Sequence, residues 1–163
     1  MSETGAAESG RAGEAGGAGG AGGAQGPVRV QFKRMHPGAQ LPSRAHATDG
    51  AYDVYLVEAA TVAPGEAVRL PLGFAAAIPD GYFVRLIGRS STQFFIREGL
   101  IDSGYRGEWR IAVQNLAREA LALKAGDRIG QLVLHRVIDV DWEETEELPA
   151  SDRGAKGFGS TGR

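Results

Sequence analysis

The chain has 163 residues, a formal net charge of −2 at pH 7 and no cysteine, and its length suits one domain rather than two. Without cysteine it forms neither disulfides nor thiolate metal sites. This fits a reducing compartment, and we expect a cytoplasmic protein. No apolar stretch reaches the roughly 20 residues of a membrane span. The three histidines (His36, His46 and His135) lack metal-ligand spacing, so we expect them on the surface rather than around zinc.

Residues 1–26 differ in composition from the rest of the chain. They contain ten glycines and seven alanines, with no bulky apolar side chain after Met1. Such a segment cannot bury enough surface to offset the entropy lost on ordering, so we expect it to be disordered. It lacks the basic start and the apolar run of about 7–15 residues of a secretory signal. Because this tail carries a net charge of −2, the rest of the chain is nearly neutral, which argues against a nucleic-acid-binding surface.

From Pro27 onward the pattern is typical of β-strands. The first run, Val28–Arg34, alternates between apolar and polar residues. Later strand-like runs are "YDVYLV", "AVRLPLG", "FAAAIP", "YFVRLIG", "EWRIAVQN" and "RIGQLVLHRVIDVDW", and turn dipeptides such as Pro64-Gly65 and Asp80-Gly81 separate them. The segment "NLAREALALKAG" has a helical composition but is short and lies between two such runs, so we interpret it as a turn-rich connector. These features predict an all-β sandwich or barrel, with a jelly roll as the leading candidate.

The stretch "LIDSGYRGEW", Leu100–Trp109, places a carboxylate where a buried strand gives way to a tight turn. Asp102 follows two aliphatic residues and precedes Ser-Gly, and Tyr105 comes three positions later. Asp102 is therefore a candidate for proton transfer. The alternative is that it caps the turn and that Tyr105 is ordinary packing.

Three further stretches carry groups that suit an anionic, flat ligand. In "GRSST", Gly88–Thr92, a guanidinium, hydroxyls and amides after a glycine can form a phosphate nest, although a capped turn has the same composition. "AGDRIGQLVL" begins a strand and directs Gln131 from it, which a simple hairpin start also explains. The closing "RGAKGFGSTGR", Arg153–Arg163, combines glycines and cations with one aromatic ring, Phe158, that can stack on a base.

Five motifs occur in order along nearly all of the chain after the tail: "DGAYDVYL", "GRSS", "GLIDSGYRGEW", "AGDRIGQLVL" and "RGAKGFGSTG". In this the chain resembles the trimeric deoxyuridine triphosphate nucleotidohydrolases, or dUTPases. The resemblance implies a jelly-roll subunit of the β-clip type, a homotrimer with three shared sites, and hydrolysis of dUTP to dUMP and pyrophosphate with Mg²⁺ held on the phosphates. It divides the chain into a tail (1–26), a β domain (27–152) and a flexible, glycine-rich arm (153–163).

The resemblance also implies a role for each matching residue. Asp102 would orient and deprotonate the attacking water, Tyr105 would lie against the deoxyribose, and Asp53 would face water molecules around the metal. Ser90 and Gln131 would contact phosphates, with Arg89 supporting their loop, while Arg153 would pair with the γ-phosphate and Phe158 would cover the uracil. The full set of expected substrate contacts is Arg89, Ser90, Ser91, Gly99, Tyr105, Gln131, Arg153, Phe158, Gly159, Ser160 and Thr161.

Two departures from the family pattern bear on the substrate. Ser91 stands where the second motif has glycine, which narrows the room beside the β-phosphate. Arg89 and Asp102 are only 13 positions apart, several fewer than the family pattern. We interpret the short interval as a truncated helix, with the uracil-reading hairpin kept near Arg97–Leu100. The alternative is an altered base pocket.

Two other functions remain as alternatives. The dCTP deaminases share this fold and the "GRSS" motif, but Ala112 stands where they need a glutamate base, so deamination has no evident catalyst. The other is a non-catalytic nucleotide-binding regulator of the same fold. The presence of Asp102, Tyr105 and the complete arm argues against it, since a binding module has no need of the water-activating acid.

Overall fold

The computed structural model describes residues 26–89 and 94–155, and within these ranges it contains eleven strands and no helix. The predicted all-β fold class is thereby confirmed. The strands are β1 Gln31–Arg34, β2 Tyr52–Tyr55, β3 Ala60–Val62, β4 Ala67–Pro71, β5 Phe74–Ala77, β6 Tyr82–Ile87, β7 Phe95–Arg97, β8 Gly99–Asp102, β9 Arg110–Gln114, β10 Leu121–Leu123 and β11 Arg128–Arg136. The disorder predicted for the tail concerns residues that lie almost wholly outside these ranges.

The strands form four antiparallel sheets. The largest has the order β2-β11-β6-β8, and a three-stranded sheet has the order β4-β9-β7; β1 pairs with β5, and β10 pairs with β3. Neighbours within the large sheet are distant in sequence, since β11 lies between β2 and β6. This order brings the first, third and fourth sequence motifs into one sheet, and Gly88 and Arg89 of the second motif directly follow β6.

The core lies against one face of the large sheet. Leu132, Leu86 and Ile101 point into it from β11, β6 and β8, and Trp109 is buried behind them. Because side chains alternate along a strand, the intervening residues of the same strands project from the opposite face. Asp53, Gln131 and Asp102 lie on this outer face, away from the core.

Three predicted elements differ from the observed ones. β1 begins at Gln31 rather than Val28, because its partner β5 is only four residues long. β11 ends at Arg136, which pairs with Tyr82, the first residue of β6, and residues 137–150 have no regular structure. The predicted connector contains a strand, β10.

Buried Asn115 explains why the helix-like composition of that connector gives no helix. Its side-chain Nδ2 donates to the carbonyl oxygens of Val62 (2.9 Å) and Glu119 (2.7 Å), and its Oδ1 accepts from the amide of Ala117 (2.9 Å). These bonds hold the turn in a non-helical path.

In the described ranges no helix is long and apolar enough to cross a membrane. The cytoplasmic location stays a prediction.

Candidate active site

Asp102 and Tyr105 share a cleft at the end of β8. The cleft has a volume of about 390 Å³, and its lining includes Gly99, Asp102 and Tyr105. The turn after β8 is closed by the main chain, since the amide of Tyr105 donates to the carbonyl oxygen of Asp102 (3.1 Å). The exposed Asp102 carboxylate is thus not needed to close the turn and is accessible for chemistry in the cleft.

The Tyr105 ring is held against its own turn. Its hydroxyl donates to the carbonyl oxygen of Glu108 (3.2 Å). A Cβ added at Gly107 would clash with the Tyr105 hydroxyl, so only glycine leaves room for the ring in this orientation. The Tyr105 side chain remains half exposed, and it forms part of the wall of the cleft.

The segment before Asp102 contains two strands but not the hairpin predicted near Arg97–Leu100. β7 ends at Arg97 and β8 begins at Gly99, with Glu98 between them. The two strands do not pair with each other, however, because β7 pairs with β9 while β8 pairs with β6. A Cβ at Gly99 would meet nothing within 4 Å, so there is open space beside this residue in the cleft.

Asp53 is the centre of a second cluster, on the outer face of the large sheet. Its side chain is only 8% exposed. Arg128 Nη1 donates to its Oδ2 (3.0 Å), Gln131 Nε2 donates to its Oδ1 (3.1 Å), and Arg89 Nη1 lies 3.3 Å from Oδ1. We call these four residues the Asp53 cluster. With two guanidinium groups and one carboxylate it has a net charge of +1, which suits an anion such as phosphate.

The partners of Asp53 determine its charge state. Burial alone would raise the pKa of this carboxyl, but the hydrogen bonds from Arg128 and Gln131 and the charges of Arg89 and Arg128 outweigh burial and hold the pKa below its ordinary value. Asp53 is therefore ionised at neutral pH.

Arg128 was missed by the sequence interpretation. Residues three apart on a regular strand face opposite sides of the sheet, so Arg128 and Gln131 are not expected to share a partner. The available signal was the "AGDR" turn directly before the strand, which does not show that the strand is irregular.

The two groups of site residues are separate within one chain. Asp53 is the register partner of Gln131, whereas Asp102 is in register with Phe83, which in turn pairs with His135. Four residues along β11 and three strand-to-strand steps across the sheet separate them, which corresponds to roughly 20 Å at standard strand spacings. This exceeds the length of a triphosphate, so one chain does not bring both groups to the same phosphate.

Several predicted site residues lie at or beyond the edge of the described structure. Arg153 is exposed in a turn where the Gly154 amide donates to the carbonyl oxygen of Ser151 (3.1 Å). The predictions for Ser90, Ser91, Phe158, Gly159, Ser160 and Thr161 fall on residues outside the described ranges.

Comparison with known proteins identifies the family. The dUTPase family model matches residues 38–162. The deoxyuridine 5′-triphosphate nucleotidohydrolase of Streptomyces griseus is 42% identical over 145 residues, covering 85% of this chain and 82% of the relative. The corresponding protein of Solibacter usitatus is 39% identical over 144 residues, covering 83% of this chain and 97% of the relative. The chain belongs to the dUTPase family.

Solved structures agree with this assignment. A mutant dUTPase of Staphylococcus bacteriophage 80alpha with dUpNHpp superposes with a TM-score of 0.75 at 29% identity, covering 83% of this chain and 99% of that one. A mutant dUTPase from phage phi11 of S. aureus, described with a structural Mg(II) ion, gives a TM-score of 0.69 at 25% identity, covering 75% and 99%. The predicted jelly roll is confirmed.

Proposed function

We propose that this chain hydrolyses dUTP to dUMP and pyrophosphate by attack of water on the α-phosphorus. The family membership supports the reaction, and the observation that carries the mechanism is the exposed Asp102 carboxylate beside Tyr105 in an open cleft. dCTP deamination is not favoured, because the family match is to the dUTPases and Ala112, at the position of the deaminase glutamate, supplies no carboxylate.

Asp102 acts as the general base. It accepts a proton from water as the water oxygen bonds to the α-phosphorus, and the bond from that phosphorus to the oxygen bridging the β-phosphorus breaks. Pyrophosphate leaves with the bridging oxygen, and Asp102 returns its proton to solvent. Such general-base assistance contributes about 10²–10⁴-fold to the rate.

The rest of the cleft selects the nucleoside. We place the deoxyribose against the Tyr105 ring, where a ribose 2′-hydroxyl would collide with it. Main-chain groups near Gly99 would bind the uracil edge, since the space beside this glycine is open. We expect a retained rather than an altered base pocket, because the dUTPase family match spans the short interval between Arg89 and Asp102.

The Asp53 cluster binds the triphosphate. Gln131 and the Arg89 loop, which includes Ser90 and Ser91, contact the phosphates in this proposal. Arg153 and the arm residues Phe158, Gly159, Ser160 and Thr161 then close over the base and the phosphate chain.

The side chains at this site suit a magnesium ion that is bound to the substrate phosphates better than one bound by the protein alone. In the described ranges no three His, Cys, Asp or Glu side chains form a metal-binding group. Mg²⁺ keeps several waters and commonly uses one or two carboxylates with substrate phosphates. A carboxylate accepts about four hydrogen bonds, and the three donors to Asp53 leave room for one metal-bound water. Mg²⁺ would neutralise charge on the phosphates.

We further propose a homotrimer in which each site is shared. The roughly 20 Å between Asp53 and Asp102 in one chain supports a site that takes Asp102 from one subunit and the Asp53 cluster from another. Large apolar side chains after β11 are highly exposed in a single chain, with Ile138 at 82%, Trp142 at 88% and Leu148 at 84%. Their burial against other subunits would stabilise the trimer.

Product analysis in ¹⁸O-water tests the reaction. Attack on the α-phosphorus places ¹⁸O in dUMP and none in pyrophosphate, while attack on the β-phosphorus labels pyrophosphate. dCTP and UTP serve as matched substrates that differ in the base or the sugar. Turnover of dUTP with labelled dUMP supports the proposal, and release of ammonia from dCTP or failure to turn over dUTP contradicts it.

A further inference from the structure

We propose that Arg128 is a positioning residue of the phosphate site: by pairing with Asp53 it fixes the orientation of that carboxylate, and through it the orientation of Gln131 and Arg89. This inference rests on the proposed function. Arg128 itself need not touch the substrate, because its contact is with the second carboxylate oxygen, Oδ2, whereas Gln131 and Arg89 lie at Oδ1.

The burial of Asp53 makes its orientation depend on its partners. A buried carboxylate is stable only when it is paired and hydrogen-bonded. Arg128 occupies Oδ2 at 3.0 Å, so Oδ1 is left facing Gln131 and Arg89. Without Arg128, the carboxylate is expected to turn both oxygens toward Arg89. That rotation would break the Gln131 contact and draw Arg89 away from the phosphates.

A β-bulge places Arg128 beside Asp53. On β11, Arg128 is level with Tyr55 and Gly130 is level with Val54, so Ile129 is an extra residue relative to β2. In a regular strand Arg128 would face the core side when Gln131 faces outward. The bulge returns Arg128 to the outer face while Ile129 stays fully buried.

Gly130 is the residue that allows this bulge to pack. A Cβ at this position would lie 2.5 Å from Ile111 Cδ1 and 2.8 Å from the carbonyl oxygen of Ile87. Any side chain there would push β11 away from β6 or from the core. The bulge and Gly130 together allow Arg128 to contact Asp53.

Because Arg128 is exposed, a substitution there tests its positioning role without disturbing the packing of the core. Its side chain is 49% exposed, so truncation opens no cavity in the core. The loss of the guanidinium therefore changes the Asp53 cluster more than the fold. Lysine keeps the positive charge but lacks the planar donor geometry, so it should replace Arg128 only in part.

Steady-state kinetics of Arg128→Met, Arg128→Lys and a matched control test the proposal. The control is Arg136→Met, at the other end of the same strand, where Arg136 lies over the Tyr82 ring. We expect Arg128→Met to raise the KM for magnesium–dUTP about tenfold, with kcat within about threefold of wild type, since removing the partner of a ligand-orienting group commonly costs 10–100-fold. Arg128→Lys should recover only part of the loss, and both methionine variants should melt close to wild type. Wild-type kinetics for Arg128→Met would overturn the proposal.

A double-mutant cycle separates action through Asp53 from direct substrate contact. If Arg128 acts through Asp53, adding Arg128→Met to Asp53→Asn should cause less than a twofold further change in KM. A full additional tenfold loss would overturn the proposal. Binding of the imido analogue dUpNHpp, measured by calorimetry on the same variants, gives a readout without turnover. If wild type does not hydrolyse dUTP, the proposed function fails, while weaker analogue binding by Arg128→Met still supports the inference and equal binding overturns it.

Discussion

Two variants that are inactive for different reasons test whether one catalytic site uses two subunits. Asp102→Asn removes the general base, and Asp53→Ala removes the carboxylate at the centre of the Asp53 cluster. Each variant alone should retain about 10⁻²–10⁻⁴ of the wild-type rate. For Asp102→Asn this is the loss expected when a general base is removed. For Asp53→Ala we expect a similar loss, because the phosphate site is dismantled. Within one chain the two positions are roughly 20 Å apart.

Mixed trimers of the two variants should regain activity. With equal co-expression, each shared site has an intact Asp102 with a probability of about one half and an intact Asp53 cluster with a probability of about one half, so about one quarter of all sites are complete, which is about one third of the sites in the trimers that contain both variants. If every site lay within one chain, each would carry one of the two defects. The mixture would then be as inactive as the single variants.

Differently tagged chains allow mixed trimers to be isolated by two affinity steps and assayed for pyrophosphate release. The two purified variants mixed without subunit exchange provide the negative control. Wild type co-expressed with Asp102→Asn, which should keep about half of the sites under either arrangement, calibrates the assay. Mixed-trimer activity no higher than that of the single variants would refute the shared site.

Three further predictions follow from individual contacts. Asn115→Ala should lower the free energy of unfolding by about 2–4 kcal/mol in urea titrations, because the three main-chain groups bonded to Asn115 lose their partner at a cost of ~1–3 kcal/mol for each that is buried; an unchanged midpoint would contradict this. The folded pKa of Asp53 is lowered, so its contribution is complete above the unfolded pKa of about 3.9 and is lost as the pH falls through the lower, folded pKa. The stability difference between wild type and Asp53→Asn should therefore shrink below about pH 4, and a constant difference from pH 6 to pH 3 would be inconsistent with the ion pairs. Deletion of residues 153–163 should reduce dUTP turnover severely yet leave the trimer and its melting temperature nearly unchanged, whereas dissociation would show that this segment is structural.

The sequence predicted the elements of this fold where local patterns determine them. Alternating apolar residues and turn dipeptides indicated the strands, and two aliphatic residues before Asp102 correctly placed that carboxylate at a strand end. The strand in the connector was missed because its structure depends on Asn115, whose contact with Val62 joins residues 53 positions apart. Composition alone favoured a helix there.

The geometry of the candidate site depends on features that a linear pattern does not contain. The bulge at Ile129 turns the Arg128 side chain to the outer face of the sheet. A regular strand would direct Arg128 to the core side, so its contact with Asp53, 75 positions away, was not expected. The separation of Asp53 from Asp102 follows from the strand order β2-β11-β6-β8, which sequence spacing does not reveal.

Turnover and binding of wild type and Asp102→Asn, measured side by side, test the central claim that Asp102 activates the water that attacks dUTP. Pyrophosphate release reports turnover, and calorimetry with dUpNHpp reports binding. We expect Asp102→Asn to lose about 10²–10⁴-fold in turnover and to bind the analogue within about tenfold of wild type, because the general base contributes to the transition state rather than to nucleotide binding. Near-normal turnover of dUTP by Asp102→Asn would contradict it.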